Sequence, residues 1–115
     1  MHQDEDAASN PIGTELVFED AHVRIWRIVL EPGEEAAFHT HHLDYTAVSV
    51  EGDRIERVNE DGTVDPITVQ PASFTRWHQS TRRHGLRNVG TRRFVNVIVE
   101  VKGLPVSFAE EGGAG

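Results

Sequence analysis

Residues 33–52, GEEAAFHTHHLDYTAVSVEG, decide the fold. Gly33 follows Pro32 and marks a turn, and Glu51-Gly52-Asp53 marks another. Between them lie two short runs, Ala36 to His41 and Tyr45 to Val50, whose apolar residues do not recur three and four apart. An amphipathic helix needs that recurrence, so both runs read as strands. The first carries His39 and His41 at positions i and i+2. On a strand these point to one face and offer two imidazoles to one point in space, which suits a divalent metal. Two ordinary surface histidines are the alternative, since a bare HxH pair arises readily by chance in a chain with seven histidines. His42 falls on the opposite face and reads as solvated.

The same reading extends in both directions. Further β-type runs are Glu15 to Phe18, His22 to Leu30, Arg54 to Val58, Ile67 to Val69, Ser73 to Trp77, Gly85 to Val89 and Arg93 to Val101, separated by turn residues such as Asp61-Gly62, Pro71 and Gly90-Thr91. Many short strands at this spacing predict an all-β sandwich or barrel. Alternation places Trp26, Ile28 and Leu30 on one side of their strand with Arg24 in line. In the last run Val95, Val97, Val99 and Val101 form one stripe, with Phe94, Asn96 and Ile98 opposite, so both faces read as largely buried. Residues 1–12 read as an acidic mobile arm, 13–103 as the domain and 104–115 as a tail whose Leu104, Val106 and Phe108 are free to dock.

With 115 residues there is room for one domain and one site. A formal net charge of -8 argues against a nucleic-acid or anionic-membrane surface. The lack of cysteine removes disulfides, iron-sulfur clusters and thiol catalysis. Any metal must then be held by His, Asp or Glu. No apolar run approaches membrane-spanning length and the first residues are acidic, so the cytoplasm is the expected compartment.

Gly33, five residues, His39, one residue, His41, three residues, Tyr45, six residues and Gly52 resemble the first motif of the cupins, G, five, HxH, three or four, E, six, G. Pro71-Ala72-Ser73, then His84, three residues and Asn88, resemble the second, PxG followed by H, three, N. The resemblance covers residues 14 to 102. More narrowly, EPG, FHTHHLDY, NEDGTV and HGLRNVG are similar to small single-domain cupins named β-alanine degradation proteins. It implies the cupin double-stranded β-helix, a jelly-roll barrel, with His39, His41 and His84 as metal ligands. Two departures stand out: Tyr45 occupies the place of the Glu ligand, preceded by Asp44, and Ser73 the place of a Gly. The fourth ligand is left open among Asp44, Tyr45, His78 and water. A three-histidine set favours Fe, Zn, Mn or Ni over the oxygen-seeking Ca and Mg.

Tyr45 has the parity to reach a ligand through its hydroxyl, and His78 is a candidate base or rim residue; both are candidate catalytic groups that move a proton. Trp77 reads as a core aromatic. Arg82, Arg83, Arg92 and Arg93 read either as charge balance or as a carboxylate-binding rim, with Arg24 and Arg87 as further candidates. Asn88 reads as a buried turn residue or a ligand contact. The function expected is a metal-dependent enzyme acting on a small carboxylate-bearing molecule, as a dioxygenase-type oxidoreductase or an isomerase or lyase. The alternative is a non-enzymatic metal or small-ligand binding protein. A homodimer is expected because a short roll leaves strand edges to cover.

Overall fold

The computed structural model describes residues 10–78 and 82–103. These form nine strands: β1 (Glu15–Glu19), β2 (Val23–Leu30), β3 (Glu35–Thr40), β4 (Asp44–Glu51), β5 (Arg54–Asn59), β6 (Val64–Thr68), β7 (Ser73–Trp77), β8 (Arg83–Asn88) and β9 (Phe94–Val101). One antiparallel sheet runs β1-β2-β9-β4-β7 and the other β3-β8-β5-β6. Pairing β2 with β9 and β3 with β8 joins residues distant in sequence, and the chain crosses repeatedly between sheets, as in a jelly roll. No helix of the described residues is long and apolar enough to cross a membrane.

The inward faces make the core. On β2 every second residue is buried: Arg24, Trp26, Ile28 and Leu30. Ile55, Phe94 and Ile98 meet them. Burying each such apolar side chain stabilises the barrel by about 1.5–3 kcal/mol. Gly33 turns the chain into β3 with φ +90°, a conformation that L side chains resist. Gly85 lets β3 and β8 approach, since a Cβ there would come within 3.0 Å of the Ala36 carbonyl and 3.1 Å of the Phe38 ring.

The structure corrects the sequence reading at several points. Ile12 is only 1% exposed and lies in the core, and Asn10 bonds both the Thr40 carbonyl and its N–H, so the barrel takes in the last residues of the expected arm. A single apolar residue between Pro11 and Gly13 has no periodicity to betray it. β6 starts at Val64 and contains Pro66, tolerated because β6 is an edge strand. On β9, Phe94, Ile98 and Glu100 are buried, whereas the valine stripe is half-buried and Val101 exposed. That stripe faces outward beside Ile25, Val48 and Phe74. The segment 104–115 and His2 lie outside the described residues.

Candidate metal centre

The pairing of β3 with β8 sets His39 directly opposite His84. His41, one residue beyond the end of β3, brings its ring to the same place. The centroids of His39 and His41 are 4.8 Å apart, of His39 and His84 4.8 Å, and of His41 and His84 5.1 Å. The three rings offer ligand atoms that all lie within 4.8 Å of one another. His39 and His41 are buried and His84 half-buried. His39 Nδ1 lies 3.1 Å from the Ala37 carbonyl, which only accepts, so Nδ1 carries the proton and Nε2 keeps its lone pair for a metal.

Burial drives all three histidines toward the neutral form. It pushes His41 down to about 2, helped by repulsion from His39, His84 and His42. It pushes His84 down to about 4, with His39 and Arg57 adding to it. His39 is lowered chiefly by burial and by Arg83, partly offset by the Ala37 bond. Three neutral imidazoles with no acid among them are a donor set for a cation. His41 Nδ1 is also buried without a hydrogen-bond partner, a state that ordinarily costs about 1–3 kcal/mol. The residues fit a divalent metal, and a three-histidine site leaves positions for water or a small molecule.

The trio opens on a cavity of about 230 Å³ between the sheets, with Ile28, Ile55, Phe94 and Ile98 among its walls. Tyr45 on β4 lies flat against His41, centroids 3.8 Å apart and planes 16° from parallel. Its phenol is pushed up to about 12, mainly by burial. Trp77 continues the stack at 6.5 Å from Tyr45, and the Arg57 guanidinium sits 5.9 Å from the Trp77 centroid. Trp77 is therefore part of the cavity wall, and 44% exposed, instead of the core aromatic expected; that place belongs to Trp26.

His78 extends into solvent just past β7, its side chain 95% exposed, with Nδ1 3.7 Å from Asp44 Oδ2. Neither residue lines the cavity, so of the open choices for a fourth ligand the wall holds only Tyr45. The expected arginine rim is largely paired with acids on the surface: Arg83 with Glu60, Arg87 with Glu56 and Glu35, and Arg93 with Glu51. Arg24 is buried and pairs with Glu19 and Glu100. Asn88 is a buried turn residue, donating to the carbonyls of Leu30 and Arg92 and accepting from Gly90 N–H. The sequence reading missed Arg57, although its parity with Ile55 on β5 gave the signal.

No protein-family model matches the chain, and no curated protein matches it. Solved structures do. A cupin domain from Bordetella pertussis superposes with a TM-score of 0.69 at 19% identity, covering 76% of this chain and 90% of that one. A conserved protein with a double-stranded β-helix domain from Klebsiella pneumoniae gives 0.61 at 21% identity, over 90% and 92%. An RmlC-like cupin protein from Desulfovibrio desulfuricans gives 0.55 at 27% identity, over 75% and 78%. With two antiparallel sheets and neighbours of this kind, the chain has the cupin double-stranded β-helix fold, and its histidine trio could hold a divalent metal.

Proposed function

We propose that this protein is a metal-dependent enzyme acting on a small carboxylate-bearing molecule. The observation that carries the reading is the convergence of His39, His41 and His84 on a half-open cavity between the sheets with both apolar and polar walls. At about 230 Å³ it is smaller than the ~300–1,000 Å³ sites of drug-sized ligands, so the ligand is small. A 3d metal such as Fe, Zn, Mn or Ni supplies Lewis acidity at its remaining positions. His39 is oriented for the metal by Ala37. Ile28, Phe94 and Ile98 make part of the cavity wall apolar. Tyr45, with its proton held firmly, is a hydrogen-bond donor to a ligand oxygen and a poor base. It is better placed than the solvent-exposed His78 to hydrogen-bond a ligand inside the cavity. Dioxygenase and isomerase or lyase chemistry are both compatible with such a site.

Metal analysis of protein purified without added metal tests the centre. About one equivalent in the wild type, lost in His39→Ala and His84→Ala, is expected. Less than about a tenth of an equivalent, unchanged by the substitutions, sinks it. A second reading, a non-enzymatic metal or ligand binder, is favoured by Tyr45 standing where a carboxylate ligand is expected. Turnover of a small carboxylate or diketone in an oxygen-electrode or product screen would eliminate that reading.

The partner proposed for the outward face of the five-stranded sheet is a second copy of the chain. Three strands of eight residues and two of five, about 4.8 Å apart and rising about 3.3 Å per residue, give this face about 540 Å². Two copies would cover about 1,100 Å², just above the ~1,000 Å² that a specific interface should clear. The face carries both signs of charge, with Arg27 paired to Glu15 and Arg76 on the same side of the sheet as Asp44, so it is not a purely negative surface. Sedimentation at micromolar concentration is expected to give twice the chain mass, and half of that for Val97→Lys. A monomeric wild type, or a dimer unmoved by Val97→Lys, overturns the assignment.

A further inference from the structure

The charge on the cavity wall specifies the ligand further. The chain carries 19 Asp and Glu, yet among the described residues none lines the cavity, and Arg57, ion-paired with Asp65 beside it, is the one of its wall residues with a full charge at neutral pH. In a protein with a net charge of -8, such a wall selects an anion.

Arg57 is held in place with donors to spare. It points inward from the middle of β5, between Leu86 and Asp65 on the neighbouring strands. Its Nε and Nη2 both donate to a single oxygen, Asp65 Oδ2, at 3.2 and 3.0 Å. Asn59 Nδ2 steadies the same oxygen at 3.1 Å. The indole of Trp77 supports the guanidinium on its flat face. A guanidinium has five N–H donors in a planar fork, and Asp65 uses two. Nη1 makes no hydrogen bond among the described residues. The fork is thus oriented, and one edge remains to take a second anion. It stands at one end of the stack Trp77, Tyr45, His41 that reaches the histidine trio.

We propose that Arg57 is the ligand's carboxylate receptor, clamped by Asp65 and Trp77 so that the molecule lies between its guanidinium and the histidine centre. One free fork edge matches one carboxylate in a paired geometry. A phosphate dianion would call for further cationic groups or a helix N-terminus, and the wall has neither among the described residues. The proposal deepens the reading of the cavity as the substrate site and rests on it.

Titration calorimetry tests it, with acetate, oxalate, malonate, succinate and inorganic phosphate as probes, on zinc-loaded and metal-free protein in parallel. At least one carboxylate is expected to bind the wild type and to bind Arg57→Gln about tenfold or more weakly, with Arg57→Lys between the two because it keeps the charge and loses the fork. Zinc content should be the same in all three, since Arg57 is no ligand. Asp65 is half exposed, so losing Arg57 leaves no buried charge unpaired, and Arg57→Gln should fold. Carboxylate affinity within about twofold of wild type in Arg57→Gln, no binding by any carboxylate, or tighter binding of phosphate than of every carboxylate overturns the proposal. Failure of the metal reading looks different: the wild type holds no zinc, while carboxylate binding to the metal-free protein still depends on Arg57.

Discussion

Two groups of ionisable side chains lie inside this barrel, and they are treated in opposite ways. At one, Glu100 is 1% exposed yet accepts a 2.8 Å bond from Trp26 Nε1 and lies 3.6 Å from Arg24. Arg24 reaches on to Glu19, which Lys102 also binds, at 2.7 Å. Acid and base alternate. At the other, three histidines meet with no acid among them, and burial and mutual repulsion hold them neutral. A buried charge answered by partners is part of the architecture. A set of like bases, brought together at a cost and left unanswered, marks the place where something else must bind.

The contrast can be broken by experiment, most strongly at Arg24. Arg24→Met strands Glu100 in the interior and should cost about 3–5 kcal/mol in urea unfolding. A loss below about 1 kcal/mol would mean that the cluster is not a structural unit. Next comes metal removal. Free metal at 100 times its dissociation constant should stabilise the wild type by about 2.7 kcal/mol, and chelation should abolish this. His39→Ala should show no such response in the same thermal-denaturation assay.

The pH response of the metal-free protein sharpens the comparison, because the two groups have opposite signs. His84, at about 4 when folded against an ordinary 6.5, makes the unfolded chain the better proton binder between those values. Its contribution is fully present above pH 6.5 and is lost as the pH falls through 4. The slope is about 1.4 kcal/mol per pH unit at most for this histidine, and His41 adds in the same sense. Glu100 is raised above its ordinary 4.5 by burial, so its contribution is present below that value and fades as the pH rises through its folded pKa. Unfolding midpoints from pH 7 to 4 should fall more gently for His84→Gln than for the wild type. Parallel curves would show that His84 titrates normally. The smallest effect expected is at His78: with its side chain in solvent, His78→Ala should change stability by less than about 0.5 kcal/mol and leave metal content unchanged.

Much of this was legible because strands announce themselves by alternation. Trp26, Ile28 and Leu30 share a face in the sequence and in the barrel, and His39 and His41 reach one point even though His41 has already left its strand. What alternation cannot report is which of two faces a neighbouring sheet will cover. Hence the valine stripe of β9 read as interior, while the polar-looking face with Asn96 and Glu100 is the inward one. Nor does sequence give the pairing of a charge. The four arginines flanking His84 and Phe94 drew attention as a cluster, yet Arg57, flanked by Glu56 and Val58, is the one whose strand turns it toward the cavity.

The placement of the aromatic residues makes the two groups separately visible. The chain has two tryptophans and one tyrosine. Trp26, 3% exposed, donates to Glu100, whereas Trp77, 44% exposed, stacks with the lone Tyr45 beside the histidines. Each group therefore carries its own fluorophore. Emission from the sheltered Trp26 follows the melting of the barrel, while Trp77, in partial contact with water and overlaid by a guanidinium, responds to what enters the cavity. One spectrum, resolved into its blue and red components, can thus distinguish unfolding from binding without any label.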